Sequence, residues 1–281
     1  MPERRAFLGA VGGIAGVSLV GFGAARWTGT STDADDHGSA ESTGTAVAYV
    51  RNVEEVRGHL VSATTLLERG RRADAALHAG HGADYFAAVL PPVRDEAPGL
   101  ATRLRARLNE VPERAESDDA SAFDAIVTEE VYPLLDDAVE LVVDDETRNS
   151  TAFGVRVMNA LAGRIADEYD AAVTADGTVR RDGEYWDSRG FLVRIEERYD
   201  AVSAAVDGAG RDSLGRLRSE MEALDPPSVV VGTTREFRVR TAAAADLPVA
   251  TIEGGSSASI SERSRPRLSR PAPSTAALTA S

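Results

Sequence analysis

Between residues 46 and 250 the sequence predicts an all-α fold, an antiparallel multi-helix bundle. Apolar residues recur every three to four positions through most of this stretch. Glycine or proline punctuates the segments at intervals suited to short helix–helix loops. Aromatic residues make up only 5%, fewer than a sheet-rich core would use.

Each helix follows from its own pattern. Val50, Val53, His59/Leu60, Ala63 and Leu67 mark the first, ending at Gly70. The second runs from about Arg72 to Leu90, where Pro91 and Pro92 are expected to stop it. Leu100, Leu104, Leu108 and Val111 form the third, followed by an acidic turn over 112–119. The fourth turns Phe123, Ile126/Val127, Leu134, Ala138 and Leu141 inward, with a bend at Pro133. Asn149-Ser150 caps a fifth, whose stripe is Phe153, Val157, Leu161, Ile165 and Tyr169. Asp187 caps a sixth, with Tyr185 or Trp186 packed ahead of it as a staple. Phe191, Ile195, Tyr199, Val202 and Val206 are that helix's inward face, and Gly208 closes it. The seventh spans about Ser213 to Leu224 and stops at Pro226-Pro227. The β-branched run over 229–241 fits a strand or a helix equally.

The flanks read differently. Residues 1–27 have the layout of a twin-arginine export signal: Arg4-Arg5, then an uncharged stretch from Phe7 to Ala25 with small residues at its end. The expected location is therefore extracytoplasmic, secreted or tethered by an uncleaved signal. Residues 28–45 form a Thr/Ser/Asp/Gly tract expected to be a flexible linker. Residues 251–281 turn to Ser, Arg, Pro and Ala and are expected to be a disordered tail.

The chain contains no cysteine, which excludes disulfides, thiolate metal sites and cysteine nucleophiles. It contains no lysine either; all 31 basic residues are arginine, against 45 Asp and Glu. The net charge is −14, yet residues 1–27 carry +2 and residues 254–281 carry +3, so the stretch between them holds −19. Such a body suits concentrated salt, where carboxylates keep the surface hydrated and their repulsion is screened. It argues against nucleic acid as a partner. No Gly-x-Ser-x-Gly elbow and no P-loop is present, so the sequence points away from an enzyme.

The sharpest chemical feature is Leu77-His78-Ala79-Gly80-His81-Gly82-Ala83-Asp84-Tyr85. On a helix His78, His81 and Tyr85 share one face. Two imidazoles one turn apart can hold a divalent transition ion (copper, iron or zinc), with Tyr85 or Asp84 adding a ligand. Glu130 and Asp137, one heptad apart on the fourth helix, are candidate facing carboxylates. The alternative is a polar seam inside the bundle, each imidazole bonded to a carbonyl or carboxylate. Asp187 likewise reads as a helix cap or, together with Glu184, as an oxygen ligand.

From Ala46 to Thr241 the pattern resembles an uncharacterised helical domain of haloarchaeal exported proteins, found ahead of halocyanin-like modules. It is similar as well to the extracytoplasmic helical domain of iron-permease proteins. The stretches that carry the resemblance are Ala76-Leu77-His78-Ala79-Gly80-His81 with Tyr85, Glu129 to Val139, and Glu168-Tyr169, Gly177-Thr178-Val179 and Glu184 to Phe191. The resemblance implies a metal-transport or redox setting, with a membrane transporter or a blue-copper redox protein as partner. This chain lacks the cysteine a blue-copper site needs, so it does not itself carry that chemistry. Two functions remain open: a non-enzymatic metal-binding or metal-handling accessory domain, and a purely structural or interaction bundle at the cell surface.

Overall fold

The computed structural model describes residues 37–248, with 37–42 and 84–86 described by their backbone. The export signal, the first part of the linker and the tail over 251–281 lie outside the described residues. Within them the chain is all-α: ten helices and one π turn, with no strand beyond an isolated bridge between Val173 and Val179.

Helix α1 spans His37–Glu68. It starts inside the stretch read as linker: no proline interrupts 37–45, and extending a helix, even through Gly38 and Gly44, costs far less than nucleating one. From Val53 to Leu60 every residue is buried, so α1 is a central helix packed on all sides. Gly70, with φ of 73°, ends it, and the Arg71 amide donates back to the Leu66 carbonyl at 2.8 Å. Helix α2 (Arg72–Glu96) runs straight through Pro91 and Pro92 instead of stopping there. Val89, Leu90 and Val93 are buried on either side of the pair, and that packing outweighs the lost amide bonds. Helix α3 (Pro98–Ser117) likewise passes Pro112, since Val111 and Ala115 continue the buried stripe of Leu100, Leu104 and Leu108. The expected acidic turn over 112–119 is helix as far as Ser117, leaving only Asp118 and Asp119 as the turn.

Helix α4 (Ala120–Ile126) leads through a π turn (Val127–Val131) into α5 (Tyr132–Val142). The wide turn sits just ahead of Pro133 and admits one extra residue, which rotates everything after it. Leu135 and Ala138 therefore face inward, while Leu134 is half-buried and Leu141 is 40% exposed, contrary to the even helical phase expected. A single turn, α6 (Asp145–Arg148), precedes α7 (Thr151–Ala172), where the Phe153 amide donates to Ser150 Oγ at 3.1 Å as the cap predicted. Helix α8 covers Asp182–Val202, α9 Arg211–Ala223 and α10 Pro227–Ala244. The ambiguous β-branched run is thus helical. Thr234 and Thr241 donate their hydroxyls to the carbonyls of Val230 (2.7 Å) and Phe237 (2.9 Å), each one turn back.

Two apolar cores result. One gathers buried residues of α1 to α5 with Phe153, Val157 and Trp186; the other is built from α7 to α10 and the turns between them. Helices α1 and α2 meet α7 and α8 along the seam between these cores. No helix among the described residues is long and apolar enough to cross a membrane.

Candidate metal centre at the seam

Being surrounded, α1 carries Glu54, Glu55, Arg57 and His59 into the interior, and a buried charge must find a partner. Glu54 is held by Arg57 (3.2 Å), Arg194 (2.8 Å) and Arg198 (2.8 Å). Burial pushes its carboxyl up, but the three guanidiniums prevail and lower it to about 2. One residue on, Glu55 faces Arg51 (3.2 Å) and Arg164 (3.4 Å). There burial wins and its pKa is raised.

One turn further along α1, His59 reaches the seam. Its Nδ1 lies 2.8 Å from Oδ1 of Asp187 on α8, and Nδ1 of His78 on α2 lies 2.8 Å from the same oxygen. Both histidines are 1% exposed and Asp187 is 6% exposed. Burial alone would raise the Asp187 carboxyl, but His59 and His78 hold it well below the usual carboxylate range. An ionised carboxylate only accepts, so the His78 Nδ1 that bonds to it is the donor. Burial pushes His59 down; Asp187 first, then Glu55 and Glu168, more than offset it and its pKa is raised. The half-buried His81 completes a ring triangle, its centroid 5.7 Å from those of His59 and His78. Phe191 packs edge-on against His59 at 5.4 Å.

His59, His78, His81 and Asp187 each offer a ligand atom, and these atoms lie within 4.8 Å of one another. With bonds of about 2.1 Å, ligands on opposite sides of an ion stand about 4.2 Å apart, so small side-chain movements suffice to close on one. A second set, Glu168 on α7 with Glu184 and Asp187 on α8, meets the same 4.8 Å limit and shares Asp187. Glu168 pairs with Arg164, and Glu184 lies 3.7 Å from Arg181.

The sequence-derived candidates divide accordingly. His78 and His81 are in the cluster. The side chains of Asp84 and Tyr85 lie outside the described residues. Glu130 is elsewhere, 2.8 Å from Arg107 on α3, and Asp137 is exposed on α5. The π turn and α5 pack on a different face of α1, where Arg57, two residues from His59, meets Asp136 at 2.6 Å, so neither carboxylate joins the histidines. Asp187 is no helix cap: α8 begins at Asp182, and Asp187 points into the seam from the helix interior. His59 was legible only as an apolar-phase position on α1, and Glu168 only within a resemblance. The usable signal was numerical, since three of the four histidines fall on inward helix faces.

Residues 144–262 match the family model of the iron permease-associated 4-helix bundle domain. The likeness to iron-permease domains read from the sequence holds for this stretch. Its four long helices are α7 to α10, the elements of the second core, and it includes Glu168, Glu184 and Asp187. His59, His78 and His81 precede it. No curated protein and no solved structure matches the chain.

Proposed function

We propose that this chain is an exported, non-enzymatic metal-handling domain that serves a membrane iron transporter. The observation that carries the reading is the convergence of His59, His78, His81 and Asp187 from three helices on one buried spot. Imidazole and carboxylate without thiolate suit ferrous iron, zinc or cupric copper as the ion carried. The match to an iron permease-associated domain favours iron and a transporter as partner; a blue-copper redox protein is the other partner the sequence suggests. The twin-arginine pair supports work outside the cytoplasm, and the lysine-free acidic body supports a haloarchaeal setting.

The test is equilibrium dialysis of the chelator-treated full chain in molar salt against Fe²⁺ without oxygen, and against Zn²⁺. Stoichiometric binding is expected, abolished in His59→Ala and His78→Ala and kept in Glu130→Gln and Asp137→Asn. No bound ion in the wild type overturns the reading.

A structural bundle is the second reading, favoured by the two 2.8 Å contacts that already satisfy Asp187 Oδ1. It predicts no ion and a strongly destabilised Asp187→Asn variant, because two buried imidazoles lose their anionic acceptor.

A further inference from the structure

We propose that Asn149 is an N-glycosylation site, the acceptor of a sugar chain attached at the outer face of the membrane. The proposal rests on the export reading above and adds a surface modification to it.

The motif is Asn149-Ser150-Thr151. An asparagine followed two residues on by a hydroxyl, with no proline between them, is the acceptor pattern for N-linked sugar. The other asparagines are Asn52, Asn109 and Asn159, and two positions beyond them stand Glu54, Val111 and Leu161. Each of those three also sits inside a helix. The pattern falls on the asparagine that does not.

The fold presents it. Asn149 closes the single turn α6 with φ of −84° and ψ of −4°, Ser150 is extended, and Thr151 opens α7. Asn149 and Ser150 are exposed. The Asn149 backbone amide donates to the Asp145 carbonyl at 3.0 Å, whereas its side-chain amide makes no hydrogen bond among the described residues. Nothing in the protein has to break for a reagent to reach Nδ2. Ser150 Oγ is taken up by the Phe153 amide, so the cap explains Ser150. It gives no task to the Asn149 amide or to the Thr151 hydroxyl, which is likewise without a hydrogen bond among the described residues.

The route makes this placement matter. A twin-arginine signal sends a domain across the membrane already folded, so an acceptor within a helix or core would not be reached. An exposed connection is open to modification in the folded state. No residue of α6 is buried, so the turn ahead of Asn149 can yield at little cost.

In the step itself, Asn149 Nδ2 attacks the anomeric carbon of an oligosaccharide carried on a lipid phosphate. The nitrogen–carbon bond forms, the carbon–oxygen bond to phosphate breaks, the amide gives up one proton and the lipid phosphate leaves. The co-reactant is thus a lipid-linked oligosaccharide, and the catalyst is a transferase of the host membrane. The site stands clear of the metal centre: Thr151 and Glu168 are separated by about 25 Å along α7.

The experiment is peptide mass mapping of the full chain secreted by a halophilic archaeal host. The peptide containing Asn149 is expected to carry the mass of a sugar chain. Asn149→Gln and Thr151→Ala should each lose that increment. Thr151→Ser should keep it, as should Ser150→Ala, which removes the cap but leaves the acceptor pattern. Replacing Arg4 and Arg5 should leave unmodified chain in the cytoplasm. If Thr151→Ala is not secreted, Asn149→Gln decides. A secreted wild type with an unmodified Asn149 peptide overturns the proposal and leaves export standing; a wild type retained in the cytoplasm overturns both.

Discussion

Gly190 on α8 lies directly against the backbone of Gly58 on α1: a methyl group on Gly190 would overlap the Gly58 carbonyl oxygen and the Ser62 hydroxyl. Gly58 in turn leaves room for the ring of Phe191. The two helices cross where neither has a side chain, next to His59 and one turn from Asp187. Ser62 Oγ locks the crossing by donating to the Trp186 carbonyl at 2.6 Å. This close approach brings an imidazole of one core to a carboxylate of the other.

Gly190→Ala should therefore force the helices apart. Overpacking of this kind costs about 1–3 kcal/mol, and the displacement widens the gap between His59 and Asp187. Denaturant unfolding in molar salt should show the loss, and dialysis should show ion affinity falling by about tenfold or more. An unchanged midpoint would mean that the crossing is looser than the structure has it.

Acid should destabilise the bundle through Glu54. Its folded value of about 2 lies below the ordinary glutamate value of 4.5, so its contribution is complete above about pH 4.5. That contribution is lost as pH falls from there towards about 2, because the unfolded chain takes up the proton first. The loss is at most about 3 kcal/mol. Unfolding midpoints measured through this window should fall steeply for the wild type, whereas Glu54→Gln, already weakened because three guanidiniums lose the buried carboxylate they share, should lose that part of the slope.

Salt should stabilise the fold. Raising ionic strength from 0.1 M to 1 M shortens the Debye length from about 10 Å to about 3 Å, which relieves repulsion in a body carrying −19. Exposed pairs such as Arg107 with Glu110 weaken at the same time, but each is worth little. Thermal midpoints in KCl should rise across this range; a flat or falling trend would contradict the expectation.

Export should require Arg4 and Arg5. Replacing both with a non-basic pair should leave folded precursor in the cytoplasm, read by fractionation and immunoblotting. Unchanged secretion would remove the twin-arginine assignment.

Periodicity exposed the helices well where one face meets a core, as in the Phe153 to Tyr169 stripe of α7. On α1 it found the helix and its inward positions, but from Val53 to Leu60 every residue is buried and no polar face sets the phase, so His59 passed as one more inward position. It failed after Val127, where the π turn shifted the phase and put Leu135 rather than Leu134 inside. Prolines misled twice: at Pro91-Pro92 and at Pro112, packing on both sides carried the helix through.

Local sequence determined what depends on near neighbours: the helical class, the Ser150 cap, the Gly70 stop and the placement of His78 and His81 on one face of α2. Tertiary structure alone decided the centre they serve. His59, Glu168, Glu184 and Asp187 come from helices far apart in the chain, and which of them meet depends on where helices cross. That is set by side-chain size at contacts such as Gly58 with Gly190, a property of two surfaces together that neither segment carries by itself. Glu130 and Asp137 have the right chemistry and spacing, yet α5 packs elsewhere on α1 and leaves them outside.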